Sequence, residues 1–527
     1  MVMRADVIVV GSGLAGSVAA LAASAKGATV VLVDRGPIGL GSNTAMADGI
    51  FTNVSSRYNA NAYVKDTINI GKDINEVSRV QAISNSVSSA FDFLESQGFE
   101  FISTPDVRVI KQQDASLIKG NYLARMLAER VTRSKGIRVL KGCYITNLIE
   151  VNGKTEGVQG FDNQGNDVFI SAASVILATG GAGAIYERND NQKNIMGQGY
   201  RMAAMAGLDL WDMEFVQFYP LVFNEPSLPP ILVYSPYPQG LKLVDGKGVD
   251  LLKEAGLPGI TEAIKFNRDE LSRFLYQRID RGIFLDFNGI DDRFWEQAPM
   301  KHYVKYFFNF KEKPVKVSPG AHFFMGGVKV DENSATSLPG LFACGELVWG
   351  LHGANRRGGN ALTECVVSGL VAGNGASSLA NQGFLPNREF PRDKQVLEIK
   401  NASSSLSELS RLRTSLQHLS WLRAGIVRSD SDIRHGIDEA RHIGKKLENI
   451  LPVTLREKKL TYDLSSALFV IRAILTASLA RTESRGAFFR EDYPTENNEA
   501  WRCNSCLVYD KDGDEFSLSH HPVKKIC

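Results

Sequence analysis

Cysteine is scarce in this sequence: the 527-residue chain has six, Cys143, Cys344, Cys365, Cys503, Cys506 and Cys527. So few cysteines in so long a chain exclude a disulfide framework and fit a reducing compartment. No run of about 18 apolar residues is present, so no membrane-spanning helix is expected. An apolar segment begins at Ala5, which leaves no room for a signal peptide before it. The expected location is the cytoplasm.

Excess charge of either sign is also missing. The chain has 60 basic and 58 acidic residues and a net charge of +2, so no strong attraction to nucleic acid or to acidic membranes is expected. Hydrophobic residues make up 44% and charged residues 22%, which is typical of a globular protein rather than a disordered one. At this length we expect two or three domains.

A glycine-rich turn follows the first apolar segment. Residues 5–10 (ADVIVV) are typical of a buried parallel strand, and Gly11-Ser-Gly13-Leu-Ala-Gly16 leads from it into an alanine-rich helix. A second buried strand, 28–33, ends at Asp34, where an acid can bind ribose hydroxyls. The first glycine permits the turn, the second lets the backbone approach a pyrophosphate, and the third lets helix and strand pack closely. The pattern predicts a dinucleotide site, although it does not distinguish FAD from NAD.

Three separated parts of the chain are expected to supply strands to one sheet. Residues 174–178 (SVILA) and 340–343 (GLFA) repeat the apolar pattern of the first strand. Residues 221–319 are rich in Pro, Phe and Tyr and indicate an inserted second domain. Helical periodicity follows at 407–422, 431–447 and 462–479, and the end of the chain predicts a short hairpin with an Asp-Gly turn at 512–513.

Further segments occur in a characteristic order. They are residues 42–49 (SNTAMADG), 178–181 (ATGG), 197–202 (GQGYRM), 214–220 (EFVQFYP), 267–273 (NRDELSR), 321–327 (AHFFMGG), 343–346 (ACGE), 352–356 (HGANR) and 483–494 (ESRGAFFREDYP). The series spans nearly the whole chain and resembles the flavoprotein subunits of fumarate reductase and succinate dehydrogenase, with L-aspartate oxidase as a relative. The resemblance implies an α/β fold with a Rossmann-like FAD-binding domain (1–220 and 330–386), an inserted α+β capping domain (221–329), a C-terminal helical domain (387–500) and a C-terminal tail (501–527).

The resemblance also implies which residues contact FAD: Gly11, Gly13, Gly16, Asp34, Ser42, Asn43, Gly180, Glu346, Asn360 and Leu362. Respiratory members of the family attach FAD covalently to a histidine at the position of Asn43. An amide cannot form that bond, so we expect noncovalent FAD.

Three residues match the family's catalytic positions. His322 and Arg356 match the pair that holds a substrate carboxylate, and arginine suits this task through its two-pronged donor geometry. Arg268 matches the arginine that delivers a proton. Structural alternatives exist for each: Arg268-Asp269 as a solvated pair at a helix start, His322 as a core histidine, and Arg356 or its neighbour Arg357 as a structural cation.

The sequence departs from the family at the second carboxylate site. A histidine in the family's Gln-Phe-His-Pro motif is replaced by Tyr219, and its Thr-Glu pair and relay arginine are not recognisable in residues 232–240 (LVYSPYPQG). Tyr219, Tyr234 and Tyr237 offer aromatic surface with a hydroxyl tip, which suits a larger and less charged group. We expect a monocarboxylate with a bulky or aromatic far end rather than fumarate or succinate.

These residues predict hydride transfer between flavin and a C–C bond beside a carboxylate, by an enoate reductase or a carboxylate dehydrogenase. Three alternatives stay open: a fumarate reductase or succinate dehydrogenase with an altered site, an oxidase like L-aspartate oxidase, and a subunit that only passes electrons. The resemblance implies an iron–sulfur electron-transfer partner, which could hold the chain at a membrane. The substrate, the direction of the reaction and the oligomeric state stay open.

The remaining unusual residues are expected to be structural. Cys503-Asn-Ser-Cys506 lacks the further thiolates that a metal site needs, so no metal is expected. A redox pair or an electron-transfer contact with a partner is the minor alternative. Cys344 and Cys365 are expected to pack as small residues. Arg485 and Arg490 are expected to form ion pairs with Glu483 and Glu491.

Overall fold

A computed structural model of the protein describes residues 1–381 and 405–523. The predicted boundary between residues 386 and 387 and the cysteine at 527 lie outside the described residues.

The first 209 residues contain most of the large sheet and the helices that cover it. In chain order the elements are β1 (Val2–Val10), α1 (Leu14–Ala25), β2 (Val30–Asp34), β3 (Ile50–Thr52), α2 (Ala60–Ile70), α3 (Val77–Ser96), β4 (Phe101–Ser103), β5 (Val107–Ile110), α4 (Lys119–Arg133), β6 (Ile137–Lys141), β7 (Tyr144–Val151), β8 (Lys154–Phe161), β9 (Asp167–Leu177) and α5 (Gln198–Met205).

Residues 210–328 form most of the region that covers the large sheet's carboxyl edge. Its elements are β10 (Leu210–Trp211), β11 (Val216–Phe223), β12 (Lys242–Asp245), α6 (Leu251–Glu254), α7 (Ile260–Phe266), α8 (Arg268–Tyr276), β13 (Ile283–Asp286), α9 (Asp292–Trp295), α10 (Met300–Tyr303), β14 (Val315–Phe324) and β15 (Gly327–Val328).

The rest of the described chain returns to the large sheet and then becomes helical. Its elements are β16 (Leu341–Ala343), α11 (Asn360–Ala380), α12 (Leu406–Arg423), α13 (Asp430–Glu448), α14 (Leu455–Ala480), α15 (Asn498–Trp501), β17 (Cys503–Asp510) and β18 (Glu515–Pro522).

The large sheet has seven strands, in the order β6-β2-β1-β9-β8-β7, with β16 also paired to β9. The pairs of β1 with β2 and β9, of β2 with β6, and of β16 with β9 are parallel. Val9 lies beside Leu32 on one side and Ile176 on the other, and all three side chains are fully buried. The expectation that three separated parts of the chain supply one sheet is confirmed. Because both faces of these strands are buried, their sequences are continuously apolar and do not alternate between apolar and polar residues.

The inserted region has its own sheet and its own core. The sheet is antiparallel, in the order β11-β14-β13-β12, and the core includes residues from Tyr219 to Val317. β11 runs across the predicted boundary between residues 220 and 221, whereas β14 ends at Phe324, inside the predicted capping domain. The two strands pair with each other in an antiparallel arrangement.

The three predicted C-terminal helices are present as α12, α13 and α14. The last begins seven residues earlier than predicted, at a capping box in which the Thr454 side chain accepts from Glu457 N. Among the described residues, α14 alone is long and apolar enough to cross a membrane, and 67% of its apolar window is buried inside the protein. It is the central helix of this region and packs against α12 and α13.

The predicted C-terminal hairpin is also present, as β17 and β18. β17 pairs with the short strand β10, where Trp211 lies opposite Cys506. The end of the chain therefore adds two strands to a small sheet of the main body.

A buried ion-pair network joins the last segment to the start of β11. Arg485 Nε lies 2.8 Å from Glu483, as predicted, whereas Arg490 pairs with Asp492 at 2.6 Å and not with the predicted Glu491. The sequence reasoning missed Arg481, whose side chain is fully buried between Glu483 and Glu214 of the segment before β11. Buried charges of this kind need partners, and these contacts supply them.

Candidate active site

The glycine-rich turn between β1 and α1 has the shape that a dinucleotide requires. Gly11 has φ +104°, and a Cβ on it would lie 2.3 Å from the Ala178 carbonyl oxygen. A Cβ on Gly16 would lie 2.0 Å from the Gly11 oxygen, so α1 packs directly on the turn. Gly13 is different, because the nearest atom to its Cβ position is 3.4 Å away. It is the N-cap of α1 and offers no side-chain cap, which leaves the helix N-terminus for an anion such as pyrophosphate.

Asp34 lies beside this turn at the end of β2. Its Oδ2 accepts hydrogen bonds from Ser12 N at 2.9 Å and Ser12 Oγ at 2.5 Å, and its Oδ1 accepts from Gly36 N at 2.7 Å. These bonds fix the carboxylate at the mouth of the glycine turn, where a ribose would lie. Ser42 Oγ donates to the Gly39 oxygen at 2.5 Å and holds the following 3-10 turn in place.

A cavity of about 500 Å³ extends from the glycine turn to the inserted region. All the predicted site residues line it except Gly16, Asn360 and Tyr234. Gly16 acts by packing against Gly11. Asn360 is fully buried at the start of α11, where its amide donates to Thr67 Oγ1 at 3.2 Å.

Asn43 and Glu346 both line this cavity. Asn43 donates to the Asn191 side chain and accepts from Gln192 N at 3.1 Å, so the protein itself holds its amide. Glu346 Oε1 accepts from Phe324 N at 3.1 Å. Burial raises the pKa of Glu346 to about 7, against the opposing effects of the Phe324 hydrogen bond and the charge of Arg356.

Arg268 and Arg356 converge on one acceptor. The Gln217 side-chain oxygen accepts from Arg356 Nε at 2.9 Å and from Arg268 at 3.3 Å. Gln217 also donates to Asn355 Oδ1 at 3.0 Å and to the Arg356 oxygen at 3.1 Å. Burial and, next, the charge of Arg268 lower the pKa of Arg356 to about 9, which leaves its guanidinium charged at neutral pH. Arg268 Nε is buried and has no partner in the described part of the chain.

His322 projects from β14 beside these arginines. Its Nδ1 lies 2.7 Å from Asp190 Oδ2, and burial lowers its pKa, which Asp190 partly opposes. A neutral imidazole that donates from Nδ1 to Asp190 keeps Nε2 as an acceptor, whereas protonation makes Nε2 a second donor. The Asp190 contact therefore orients a ring that already faces the cavity.

The three predicted tyrosines divide into two groups. Tyr219 and Tyr237 line the cavity and share a hydrogen bond between their hydroxyls. The Tyr219 ring lies 5.3 Å from the His322 ring. Tyr234 does not reach the cavity: its hydroxyl donates to the Met46 oxygen at 2.8 Å and its backbone N–H donates to the Tyr303 hydroxyl. The prediction that Tyr234 lines the substrate site therefore disagrees with its position, because these bonds direct it into the contact between the inserted region and the main body.

Arg268 and Arg357, for which a structural role is the alternative, make different contacts. Arg268 and Asp269 make separate contacts, since Asp269 accepts from Asn355 Nδ2 at 3.1 Å. Arg357, the other member of the adjacent pair, donates to the Tyr58 hydroxyl and lies 3.6 Å from Asp106.

Sequence reasoning missed three polar residues at this site, Asp48, Asp190 and Gln217. Gln217 and Asp48 stand inside motifs used for the resemblance, and an argument from their polarity could have selected them. Nothing in the sequence around Asp190 marks it, because its partner His322 is 132 positions away.

The cysteines lie as small packed residues. Cys344, Cys503 and Cys506 are buried, and each has a free thiol rather than a disulfide bond. Within residues 1–381 and 405–523, no cluster of three His, Cys, Asp or Glu residues is arranged to hold a metal ion.

Two family models match the chain. One, described as an FAD binding domain, covers residues 6–362, and the other, described as fumarate reductase flavoprotein C-term, covers residues 413–526. Together with the glycine turn and the cavity that extends from it, these matches define the chain as an FAD-dependent oxidoreductase.

The chain is similar over its whole length to known proteins of this class. It is 31% identical to L-aspartate oxidase of Pyrococcus horikoshii, over 94% of this chain and 97% of that protein. It is 28% identical to a subunit of the CoM/CoB fumarate reductase of Methanothermobacter marburgensis, over 94% and 96%. The structure of quinol fumarate reductase FrdA of E. coli has the same fold, with a TM-score of 0.85 and 24% identity over 100% of this chain and 98% of that one. The chain belongs to the family of the fumarate reductase and succinate dehydrogenase flavoprotein subunits and L-aspartate oxidase.

Proposed function

We propose that the protein transfers hydride between FAD and a C–C bond adjacent to a carboxylate, as an enoate reductase or the corresponding dehydrogenase. The observation that carries this proposal is the grouping of Arg268, His322 and Arg356 at one end of the cavity that begins at the glycine turn. An enoate needs a cationic clamp and a proton donor beside the flavin, and this group offers both.

The near carboxylate of the substrate binds between Arg356 and His322. Negative charge builds toward this carboxylate as the alkene accepts hydride, so cations fixed here stabilise the transition state more than the ground state. Reduction adds hydride to one carbon and a proton to its neighbour, and Arg268 supplies that proton. Its position on the cavity lining and its unpartnered Nε support this assignment, and its contact with Gln217 holds the guanidinium beside Arg356.

FAD, when bound, supplies the hydride or accepts it. The residues that hold FAD are those of the glycine turn, with Asp34, Ser42, Asn43, Gly180, Glu346 and Leu362 along the cavity. We infer that FAD is bound without a covalent link, since Asn43 offers an amide that is already hydrogen-bonded to the Asn191 side chain and to Gln192 N.

The far end of the substrate is not a second carboxylate. Tyr219 and Tyr237 line that end of the cavity, and both phenols are un-ionised, because burial raises the pKa of Tyr219 to about 12 and that of Tyr237 well above its usual value. A buried carboxylate without a cation would cost several kcal/mol there. Fumarate and succinate are therefore poor substrates, and a monocarboxylate with a bulky or aromatic far end is preferred.

Electrons reach the flavin from a separate protein or a soluble carrier, and we infer an iron–sulfur partner. One relative is named as one of the subunits of a fumarate reductase, which supports a multi-subunit assembly. We further infer a cytoplasmic location, with any membrane association through that partner.

The test is a turnover panel with reduced methyl viologen as the electron donor. Oxidation of the viologen by cinnamate and other substituted acrylates, with a specificity constant well above that for fumarate, is the expected result. Fast fumarate turnover that Tyr219→Phe abolishes would show instead that the tyrosine hydroxyl binds a second carboxylate. Oxygen consumption with L-aspartate would indicate an amino-acid oxidase, and failure of every acceptor to reoxidise the reduced flavin would indicate a subunit that only passes electrons.

A further inference from the structure

The hydroxyl protons of the two cavity tyrosines have a fixed direction. The Tyr237 hydroxyl is 3.2 Å from the Val233 backbone oxygen, and a carbonyl oxygen can only accept. The Tyr237 proton therefore belongs to that bond. Because the two phenol oxygens are also hydrogen-bonded to each other, Tyr219 is the donor in that second bond. Both protons are thus used within the protein, and only lone pairs remain for a ligand.

Asp48 lies on the same side of the cavity and is also an acceptor. It comes from the main body, and its Oδ2 accepts from Ser235 Oγ at 2.5 Å and from Ser235 N at 3.3 Å. The Ser235 hydroxyl proton is thereby used as well. Asp48 lines the cavity, and its Oδ1 accepts no hydrogen bond from the described residues. This oxygen is therefore available to a ligand. Asp48 and Tyr219 both line the cavity.

Tyr219, Asp48 and Tyr237 together form what we call the acceptor wall. Tyr219 connects this wall to the reacting end, since its ring lies 5.6 Å from the Arg268 guanidinium carbon. A ligand held by Arg356 and His322 therefore extends toward a surface that can accept hydrogen bonds and has none to donate.

We propose that the acceptor wall selects substrates whose far end donates a hydrogen bond, through a hydroxyl or an amino group, and rejects a second carboxylate. This inference rests on the proposed function and names its substrate class more closely: an unsaturated or saturated monocarboxylate with a donor group at the end away from the reacting carbons. A carboxylate there would meet lone pairs and a like charge, whereas a hydroxyl or ammonium would satisfy Asp48 Oδ1.

The nearest cation to the acceptor wall is Arg268, which belongs to the reacting end of the cavity. Two lysines near the wall do not reverse this preference. Lys119 acts on the charge of Asp48, but it does not line the substrate cavity and lines a smaller cavity behind it. Lys265 lines the substrate cavity but is exposed to solvent. An exposed ammonium that is free to move gives a carboxylate only a weak, screened attraction.

The test measures binding of three ligands to the FAD-loaded protein by titration calorimetry: cinnamate, para-hydroxycinnamate and para-carboxycinnamate. The last two share the cinnamate frame, but the far end donates a hydrogen bond in one and carries a second negative charge on a larger group in the other. At about pH 7.5, where Asp48 is mostly ionised, para-hydroxycinnamate should bind roughly 100-fold more tightly than para-carboxycinnamate, since like charges at such a site repel strongly. Cinnamate should fall between them.

Asp48→Asn removes the charge, keeps the shape and gives the wall a donor. It should reduce the ratio of the two dissociation constants at least tenfold, and FAD content should show that the variant is folded. Asp250→Asn is the matched control, because Asp250 is the N-cap of α6 in the inserted region, where asparagine caps equally well. This control should leave the ratio unchanged.

Equal binding of the two substituted cinnamates by the wild-type protein, or a ratio that Asp48→Asn does not change, would overturn the inference. Viologen oxidation by cinnamate itself, which has neither group, decides the proposed function separately. Reduction of cinnamate without discrimination at the far end would therefore refute the acceptor wall and leave the proposed function standing. Failure of all three ligands to bind would refute both.

Discussion

Gln217→Leu is the substitution that best tests how the reacting end is organised. The Gln217 oxygen accepts from Arg356 at 2.9 Å and from Arg268 at 3.3 Å, and leucine has a similar size but no acceptor. A hydrogen bond to a charged group contributes about 1.5–3 kcal/mol. The 3.3 Å bond from Arg268 is long, so its contribution is at or below the lower end of that range. Loss of both amounts to about 2–4 kcal/mol, or a fall of roughly 30- to 1000-fold in kcat/KM.

The assay is steady-state reduction of the best enoate, with KM and kcat reported separately. Loss of alignment at the carboxylate clamp raises KM, and loss of alignment at the proton donor lowers kcat, so both parameters should change. Gln159→Leu is the control, since Gln159 is equally buried, at 1% exposed, but lies in β8 away from the cavity. FAD content should be unaffected in both variants.

A Gln217→Leu enzyme with kcat/KM within about threefold of wild type would refute this account. So would an equal loss in Gln159→Leu, because that would show a general effect of removing a buried amide. A loss confined to the Gln217 variant, with FAD retained, would show that this side chain positions both cations.

Three further results are expected. Acid precipitation should release all the yellow colour into the supernatant, and colour in the washed pellet would contradict the absence of a covalent link at Asn43. Arg268→Ala should keep FAD and lose about 10²–10⁴-fold in turnover. Arg273→Ala in the same helix should keep both FAD and turnover. Near wild-type rates in the Arg268 variant would show that Arg268 is not the proton donor. Burial raises the pKa of Asp48 to about 6, against the effects of Lys119 and Ser235, so the carboxylate is charged above that pH and neutral below it. The preference for para-hydroxycinnamate over para-carboxycinnamate should therefore weaken as the pH falls through about 6. A ratio of dissociation constants that is constant across this pH range would contradict the role of Asp48. The tyrosines that face Asp48 do not titrate in this range, because burial raises their pKa values far above neutral.

Much of the fold could be predicted because its signals are local. The run ADVIVV with Gly11 behind it predicts a buried parallel strand and a tight turn, and both are present. The three C-terminal helices follow from apolar periodicity. The partner of the final hairpin could not be predicted, since β17 pairs with Leu210–Trp211, nearly 300 positions earlier, and a two-residue strand leaves no periodic pattern.

The candidate site was predictable residue by residue but not contact by contact. Motif matches identified Arg268, His322 and Arg356, yet they could not show that Gln217 lies between the two arginines. The tyrosines illustrate the same limit. Tyr219 takes its direction from strand β11, whereas Tyr234 follows that strand in an irregular segment whose hydrogen bonds to Met46 and Tyr303 are set by the tertiary fold. One-dimensional spacing carries no information about such contacts.

Strand β11 joins the two ends of the substrate site. Gln217 and Tyr219 are two positions apart, and both contact Arg268: Gln217 accepts a hydrogen bond from it, and the Tyr219 ring lies 5.6 Å from its guanidinium carbon. Between them Phe218 faces the opposite way, against Tyr186 and Trp421. The packing of Phe218 therefore sets the position of both functional neighbours: the amide that aligns the arginines and the phenol that begins the acceptor wall. In the proposed function, a change in the loop that carries Tyr237 and Ser235 alters which far end is accepted, while Gln217 on β11 continues to contact both arginines. Tyr219, where the sequence departs from the family pattern, therefore lies on the same strand as the amide that contacts both arginines.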